Sequence, residues 1–139
     1  MKDKITCFKL NWYDCGLCCG EDTVQEEITV YRNDNCMFFK ELNGCGVICS
    51  SEIINIEKEK IDEFFEFLEK IYDKWENDYE VEVCDGSSWR IRMWHSSHKV
   101  KTVCGTIEYP PYGKEIESHI RSFIMLCKNT IAPKMFGCS

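Results

Sequence analysis

The chain has 139 residues, of which 44% are hydrophobic and 29% are charged. This length and composition are typical of a single globular domain over residues 1–139, and they exclude an intrinsically disordered chain. No apolar run approaches the roughly 20 residues that a membrane-spanning helix needs, and the first residues lack the apolar core of a signal peptide. We therefore expect a cytoplasmic protein without membrane association.

The formal net charge of −7 is unevenly distributed along the chain. Residues 57–82 hold eleven acids and four lysines, whereas residues 83–139 hold eight bases and four acids. Such an acidic excess argues against general nucleic-acid binding, which needs a basic surface. The basic residues of the second region are concentrated in a predicted hairpin that is described below.

The first part of the chain, residues 1–56, is predicted to consist of Cys-rich strands and loops. Phe8, Leu10 and Trp12 alternate with polar residues, which predicts a strand over residues 4–12 with one buried face. Residues 14–22 are rich in Cys and Gly and predict a loop. Shorter strands are predicted at residues 27–32, 36–40 and 47–49, with turns at residues 33–35 and 43–44 between them.

The second part, residues 57–139, is predicted to form a helix, a three-strand meander and a second helix. Residues 57–76 carry one apolar stripe at helical spacing, formed by Ile61, Phe64, Phe65, Leu68, Ile71, Tyr72 and Trp75. Ser51 or Asn55 is predicted to cap the approach to this helix. Strands are predicted at residues 80–84, 89–94 and 99–107, and a second apolar stripe follows Pro110-Pro111. This order predicts an α+β fold with two layers, in which two amphipathic helices pack on one face of an antiparallel sheet.

Two cysteine pairs have the spacing of a zinc site. Eleven cysteines are many for this length, and in the cytosol we expect them to be reduced. Cys15 and Cys18 form a CxxC motif, Cys45 and Cys49 form a CxxxC motif, and four thiolates in two close pairs can hold zinc tetrahedrally. The alternative is that these residues are small apolar side chains, in which case no cofactor is expected.

The predicted hairpin in residues 89–107 carries a basic and aromatic surface. Arg90, Arg92 and Trp94 share one strand face, and Lys99 and Lys101 belong to the neighbouring strand. Two arginines beside a tryptophan can bind a carboxylate or phosphate and stack on a ring, so this is the candidate partner-binding surface. The alternative is that these bases pair within the molecule, with the acidic helix or with neighbouring strands.

Two further features have a functional and a structural interpretation. His95 and His98 are three residues apart, a spacing that suits a metal or a pH-dependent step, but they flank a predicted turn. The acidic helix face, with Glu59, Glu63 and Glu66, resembles a nucleic-acid backbone in charge, but it is also typical of a solvated amphipathic helix.

Short motifs in the C-terminal half resemble a group of small proteins from Gram-positive bacteria to which no activity is assigned. The motifs are Trp75-x3-Tyr79, Asp85-Gly86-x2-Trp89 and Gly105-x3-Tyr109-Pro110, followed by an amphipathic helix, and they span about residues 57–127. The resemblance implies a strand–turn–strand–strand–helix unit. Asp-Gly suits a tight turn, Trp89 a core position, and Gly105 a bulge or a close backbone approach.

No residue pattern in the chain predicts a catalytic centre. The sequence has neither a GxSxG motif nor a Gly-rich phosphate loop. The leading hypothesis is therefore a non-enzymatic protein-interaction domain that acts through a protein partner or self-association. Alternative hypotheses are a zinc-stabilised adaptor, an acidic inhibitor of a nucleic-acid-binding enzyme encoded by a mobile element, and an enzyme that uses Arg90 and Arg92 on an anionic small molecule.

Overall fold

A computed structural model describes residues 4–14, 24–43, 48–74, 78–79, 87–106 and 112–124. These residues form an α+β fold, as the sequence predicts. The strands are β1 (Ile5–Asp14), β2 (Val24–Tyr31), β3 (Cys36–Asn43), β4 (Ile48–Asn55), β5 (Asp78–Tyr79), β6 (Ser87–His95) and β7 (Val100–Thr106). The helices are α1 (Lys58–Ile71), which continues as a 3-10 turn at Tyr72–Lys74, and α2 (Gly113–Ile124). No helix in these ranges is long and apolar enough to cross a membrane.

The strands form one sheet in the order β4-β3-β2-β1-β6-β7-β5. Six of them are antiparallel to their neighbours, and only the two-residue strand β5 runs parallel to its neighbour β7. The predicted meander places the strand at residues 80–84 beside β6, but in the described sheet the two neighbours of β6 are β1 and β7. The pairing of β1 with β6 joins residues about eighty positions apart, so no local sequence pattern predicts it.

Both helices pack on one face of the sheet. The buried apolar side chains of β1 and β6 lie together on this face because Phe8 pairs with Met93, Leu10 with Ile91, and Trp12 with Trp89 in the antiparallel register. The other strands add Ile28, Val30, Met37, Phe39, Ile54 and Val103 to the core. The helices contribute to it through the predicted stripes, namely Ile61, Phe64, Phe65, Leu68 and Ile71 from α1 and Ile116, Ile120 and Phe123 from α2. The rings of Phe8, Phe64 and Phe123 make edge-to-face contacts at the centre.

The strand β4 is longer than predicted, and the predicted helix cap is wrong. The sequence pattern placed a strand only at residues 47–49, whereas β4 runs from Ile48 to Asn55. Ser51 and Asn55 therefore belong to a strand and cannot cap α1, whose N-cap residue Glu57 makes no side-chain capping hydrogen bond. The buried residues Ile54 and Ile56 anchor this segment on the helix side.

Gly105 lies opposite Trp89 in a regular β6–β7 register, without a bulge. Because directly opposed residues in antiparallel strands share a face, the missing side chain leaves room for the buried indole of Trp89. Of the two roles predicted for this glycine, the regular register argues against the bulge, and the close approach remains a prediction. The predicted strand at residues 80–84, the Asp85-Gly86 turn, Trp75 and the Tyr109-Pro110 exit lie outside the described residues.

Candidate functional site

The face of the sheet opposite the helices, which we term the open face, carries the arginines of β6. Trp89, Ile91 and Met93 are buried against the helices, so the alternate residues of β6 point to the other side. In the described part of the chain no helix covers that side. Arg90 is exposed there, and Arg92 and Trp94 are half-buried. The surface that the sequence indicates on β6 therefore exists as a solvent-facing stripe.

A chain of polar contacts crosses the centre of the open face and holds Arg92 in place. Its Nη2 atom donates to Oδ1 of Asn11 at 3.3 Å, and Nδ2 of Asn11 donates to Oε2 of Glu27 at 3.4 Å. Nζ of Lys9 lies 3.1 Å from Oε1 of the same glutamate. The Arg92 guanidinium also lies 5.7 Å from the ring of Trp94. These contacts limit the rotamers of the arginine, which lowers the entropy that binding would cost.

Arg90 has no such partner. Its side chain is exposed on β6, and no described residue makes a hydrogen bond or an ion pair with its guanidinium group. Its position two residues before Arg92 places both guanidinium groups on the same side of the strand. One arginine is thus oriented by its neighbours, while the other is available to a ligand.

The other half of the open face is aromatic and aliphatic. Tyr31 and Phe38 make an edge-to-face contact with 5.5 Å between ring centroids, and Ile53 lies opposite Phe38 on β4. Tyr31 is 39% exposed and Ile53 is 65% exposed. A shallow depression of about 200 Å³ adjoins the two rings, with Lys9, Glu27, Thr29 and Lys40 as its other lining residues. Cations and exposed apolar groups are therefore close together on one surface.

Lys101 and Lys99 do not belong to this surface. Lys101 pairs with Met93 and so lies on the helix side, where its Nζ atom donates to the carbonyl oxygen of Tyr72 at 2.7 Å. The same atom is 4.4 Å from the centre of the Tyr72 ring. Lys99 precedes β7 in the hairpin turn. The five residues predicted as one surface are thus divided, with Arg90, Arg92 and Trp94 on the open face.

The two histidines are placed by the hairpin turn. His95 ends β6 and is only 8% exposed, with its ring 4.6 Å from that of Tyr72. The N–H of His98 donates to the carbonyl oxygen of His95 at 2.9 Å, and His98 adopts a positive φ of 71°. The histidines flank the turn as predicted, but only His98 is exposed, whereas His95 is a buried strand residue.

The ion pair of α1 with the sheet joins Glu69 to Arg32, which lies in the turn between β2 and β3. The hairpin arginines do not take part in it. Glu69 lies 3.4 Å from Nη1 of Arg32 through Oε1, and its Oε2 accepts the N–H of Ile5 at 3.2 Å. Nη1 of Arg32 also donates to the carbonyl oxygen of Ile5 at 3.1 Å. Glu59, Glu63 and Glu66 are exposed on the outer side of α1.

The predicted zinc ligands lie outside the described side chains. Cys15, Cys18 and Cys45 are not described, and Cys49 is described only as a backbone position in β4. Within the described ranges, no three His, Cys, Asp or Glu side chains are grouped as a metal site would require. The zinc interpretation remains a prediction.

Among the described residues, three titratable groups have shifted pKa values, and burial is the main cause of each shift. Burial raises the pKa of the Cys7 thiol to about 11, against a usual 9.0, and the charge of Lys9 opposes the shift. Burial and the carboxylate of Asp34 raise the pKa of Cys36. Burial lowers the pKa of His119, which packs against Phe67, and Glu63 partly offsets the effect. The two thiols are therefore neutral, weak nucleophiles at neutral pH.

Comparison of the chain with protein-family models, with curated proteins and with solved structures gives no match. The functional interpretation of the candidate site therefore depends on the geometry of the site. Sequence patterns indicated Arg90, Arg92 and Trp94 but missed the residues that surround them. The alternation in β1 places Lys9 and Asn11 on the outer side, but only the strand order brings them beside β6.

Proposed function

We propose that this chain is a cytoplasmic, non-enzymatic protein-interaction domain that binds its partner through the open face. The observation that carries the proposal is a solvent-facing sheet surface on which arginines, lysines and aromatic rings adjoin one another. Arginine and the aromatic residues are the types most enriched at the energetic centres of protein interfaces. A sheet face that was merely solvated would carry mainly polar side chains at these positions.

The charge of the open face predicts the chemistry of the partner. Among the charged residues whose side chains are described, the open face carries four cations, Lys9, Lys40, Arg90 and Arg92, and the carboxylate Glu27. The chain as a whole has a net charge of −7. The open face is therefore a locally basic surface on an acidic molecule, and it suits a partner that presents carboxylates beside an apolar side chain.

The arrangement favours a protein over a nucleic acid as the partner. The rings of Tyr31 and Phe38 stand nearly perpendicular to each other, at 88°, so they do not offer two parallel platforms for successive bases. The net charge of the chain also repels a polyanion at longer range. A protein segment with a few acidic residues can pair with the cations of the open face and is repelled less by the net negative charge of the chain.

A charge-reversal pair tests the proposal. The variant Arg90→Glu/Arg92→Glu changes only the open face, and Lys58→Glu/Lys70→Glu makes the same charge change on the exposed side of α1. Proteins captured by the wild type from its own cytosol are identified, and the affinity of each purified pair is measured calorimetrically. We expect the open-face variant to weaken binding by about 100-fold and the control variant by less than about threefold, since two interfacial charge contacts are reversed.

Equal affinities of both variants would refute the assignment of the open face. A labelled single-stranded oligonucleotide serves as the second probe. Tight binding of that probe, lost in the variant with Arg90 and Arg92 reversed and falling steeply with salt, would show a nucleic-acid surface and overturn the choice of a protein partner.

A further inference from the structure

The outer edge of β4 has no strand beside it among the described residues. β4 is the last strand on its side of the sheet, with only β3 beside it. Its register with β3 is regular from Asn55 back to Ser50, and it shifts at Cys49, where β4 has one extra residue. The regular edge therefore runs over residues 50–55, and the bulge ends it on the N-terminal side.

The hydrogen-bond phase shows which residues face outward along this edge. The N–H of Ile56 donates to the carbonyl oxygen of Asn35 at 2.9 Å, just beyond the Cys36–Asn55 pair. Bonded and non-bonded pairs alternate along an antiparallel ladder, so every second residue of β4 bonds to β3. The residues between them direct their N–H and C=O groups to the free edge. These outward residues are Ser51, Ile53 and Asn55.

The outward groups have no described partner. Along this edge, no described residue makes a hydrogen bond with Ser51, Ile53 or Asn55. The side chains of all three residues are exposed, and Ile53 is 65% exposed. The strand contains no Lys or Pro, and its bulge at Cys49 lies outside the regular segment of residues 50–55, in which Glu52 is the single charge.

We propose that β4 pairs with β4 of a second copy of this chain across a two-fold axis that passes between the two Ile53 residues. In this register Ile53 lies opposite Ile53 of the other copy, and Ser51 lies opposite Asn55. Each of these pairs exchanges two backbone hydrogen bonds, so all outward groups of residues 51–55 are satisfied. The pairing is isologous and closes at two copies.

Other registers of the same strand are worse. An axis at residue 52 places Glu52 directly opposite its copy, which is unfavourable for like charges on opposed strands. An axis at Ser51 moves the pairing into the bulge at Cys49. With the axis at Ile53, Glu52 lies opposite Ile54, and the two glutamates are only diagonal neighbours.

The side chains around the axis favour a second copy over an unrelated strand. The two exposed Ile53 side chains contact each other on the open face, beside Phe38 of each copy. The apolar half of one open face thereby continues into that of the other. The two β6 strands, which carry the arginines, are nine strand spacings apart in the combined sheet, about 40 Å, so like charges do not meet.

Size-exclusion chromatography with light scattering, in reducing buffer to prevent disulfide dimers, tests the proposal. We expect the wild type to dimerise and Ile53→Pro to weaken the dimer by about 30-fold, because two symmetry-related hydrogen bonds are lost. The monomer should tolerate this proline, because the N–H of Ile53 points away from β3 and its loss breaks no hydrogen bond to β3. Ile53→Lys is the second disrupting variant. Ile48→Lys is the matched control, since Ile48 is 53% exposed on the same strand but lies beyond the paired residues.

Amide hydrogen exchange tests the register. The N–H groups of Ser51, Ile53 and Asn55 should exchange slowly only at concentrations where the dimer forms. Those of Glu52 and Ile54 should be protected in the monomer as well, because they bond to β3. A dimer that survives Ile53→Pro, or a wild type that stays monomeric up to about 0.5 mM, overturns the proposal.

The test of dimerisation through β4 can be separated from the test of partner binding by the arginines of the open face. Arg90 and Arg92 lie on β6, four strands from β4. Reversal of their charges should leave the dimer unchanged, whereas Ile53→Pro should leave the arginine contacts intact.

Discussion

Replacement of Glu69 by alanine should destabilise the fold, although this residue lies on the acidic side of α1. Its carboxylate lies near Arg32 and accepts the N–H of Ile5, next to the bulge in the β1–β6 register between Ile5 and Cys7. The side chains of Glu69 and Arg32 are only 18% and 14% exposed. The Glu69 carboxylate therefore joins α1 to the first residue of β1, and it does so where few water molecules can screen the interaction.

The expected loss is about 2 kcal/mol in the free energy of unfolding. A hydrogen bond from a backbone N–H to a carboxylate contributes about 1.5–3 kcal/mol, and truncation also leaves the half-buried Arg32 without its counter-ion. For a domain of this size, such a loss lowers Tm by about 6–8 °C. In a double-mutant cycle with Arg32→Ala, we expect a coupling energy of about 1 kcal/mol.

Urea unfolding followed by tryptophan fluorescence measures these quantities. Glu66→Ala is the matched control, because Glu66 is an exposed glutamate on the same helix, and it should change stability by less than about 0.5 kcal/mol. Equal effects of Glu69→Ala and Glu66→Ala would refute the reasoning. So would a coupling energy near zero, since the guanidinium and the carboxylate would then act independently.

Two further predictions concern the cysteines. If Cys15, Cys18, Cys45 and Cys49 hold zinc, protein purified without added metal should contain nearly one zinc per chain by elemental analysis, and less than about 0.2 would exclude the site. Because the pKa of Cys7 in the folded state, about 11, lies above its usual value, the group contributes stability that is present below about pH 9 and is lost as the pH rises through 11. Alkylation of Cys7 followed by mass spectrometry should be slower at pH 8–9 in the folded protein than in urea, and equal rates would contradict the shift.

Local patterns predicted most of the helices and central strands correctly. The alternation of Trp89, Ile91 and Met93 with polar residues identified both faces of β6, because residues two apart in a strand share a side. The apolar stripe from Ile61 to Ile71 identified α1 and the face that it buries. Such patterns succeed where one side of an element is buried and the other is solvated.

The strand β4 shows where local patterns fail. Its residues Ser50, Ser51 and Glu52 have low strand propensity, and only Ile54 within the strand is buried among those described. An edge strand with one open face has few core positions, so its sequence carries little periodic signal. Pairing with β3 makes this segment a strand, and that pairing depends on the whole sheet.

The amino-acid sequence by itself determined the α+β class, the burial of Trp89 beneath the helices and the outward position of Arg90 and Arg92. It did so because hydrophobic periodicity reports which side of an element is buried. Only the tertiary structure decided that β1 lies beside β6, which brings Asn11 against Arg92 and separates Lys101 from the arginines. The same strand order leaves β4 at an edge that no other described strand covers. These features depend on contacts between distant residues, whose free energies are set by the assembled core and not by neighbours in the chain.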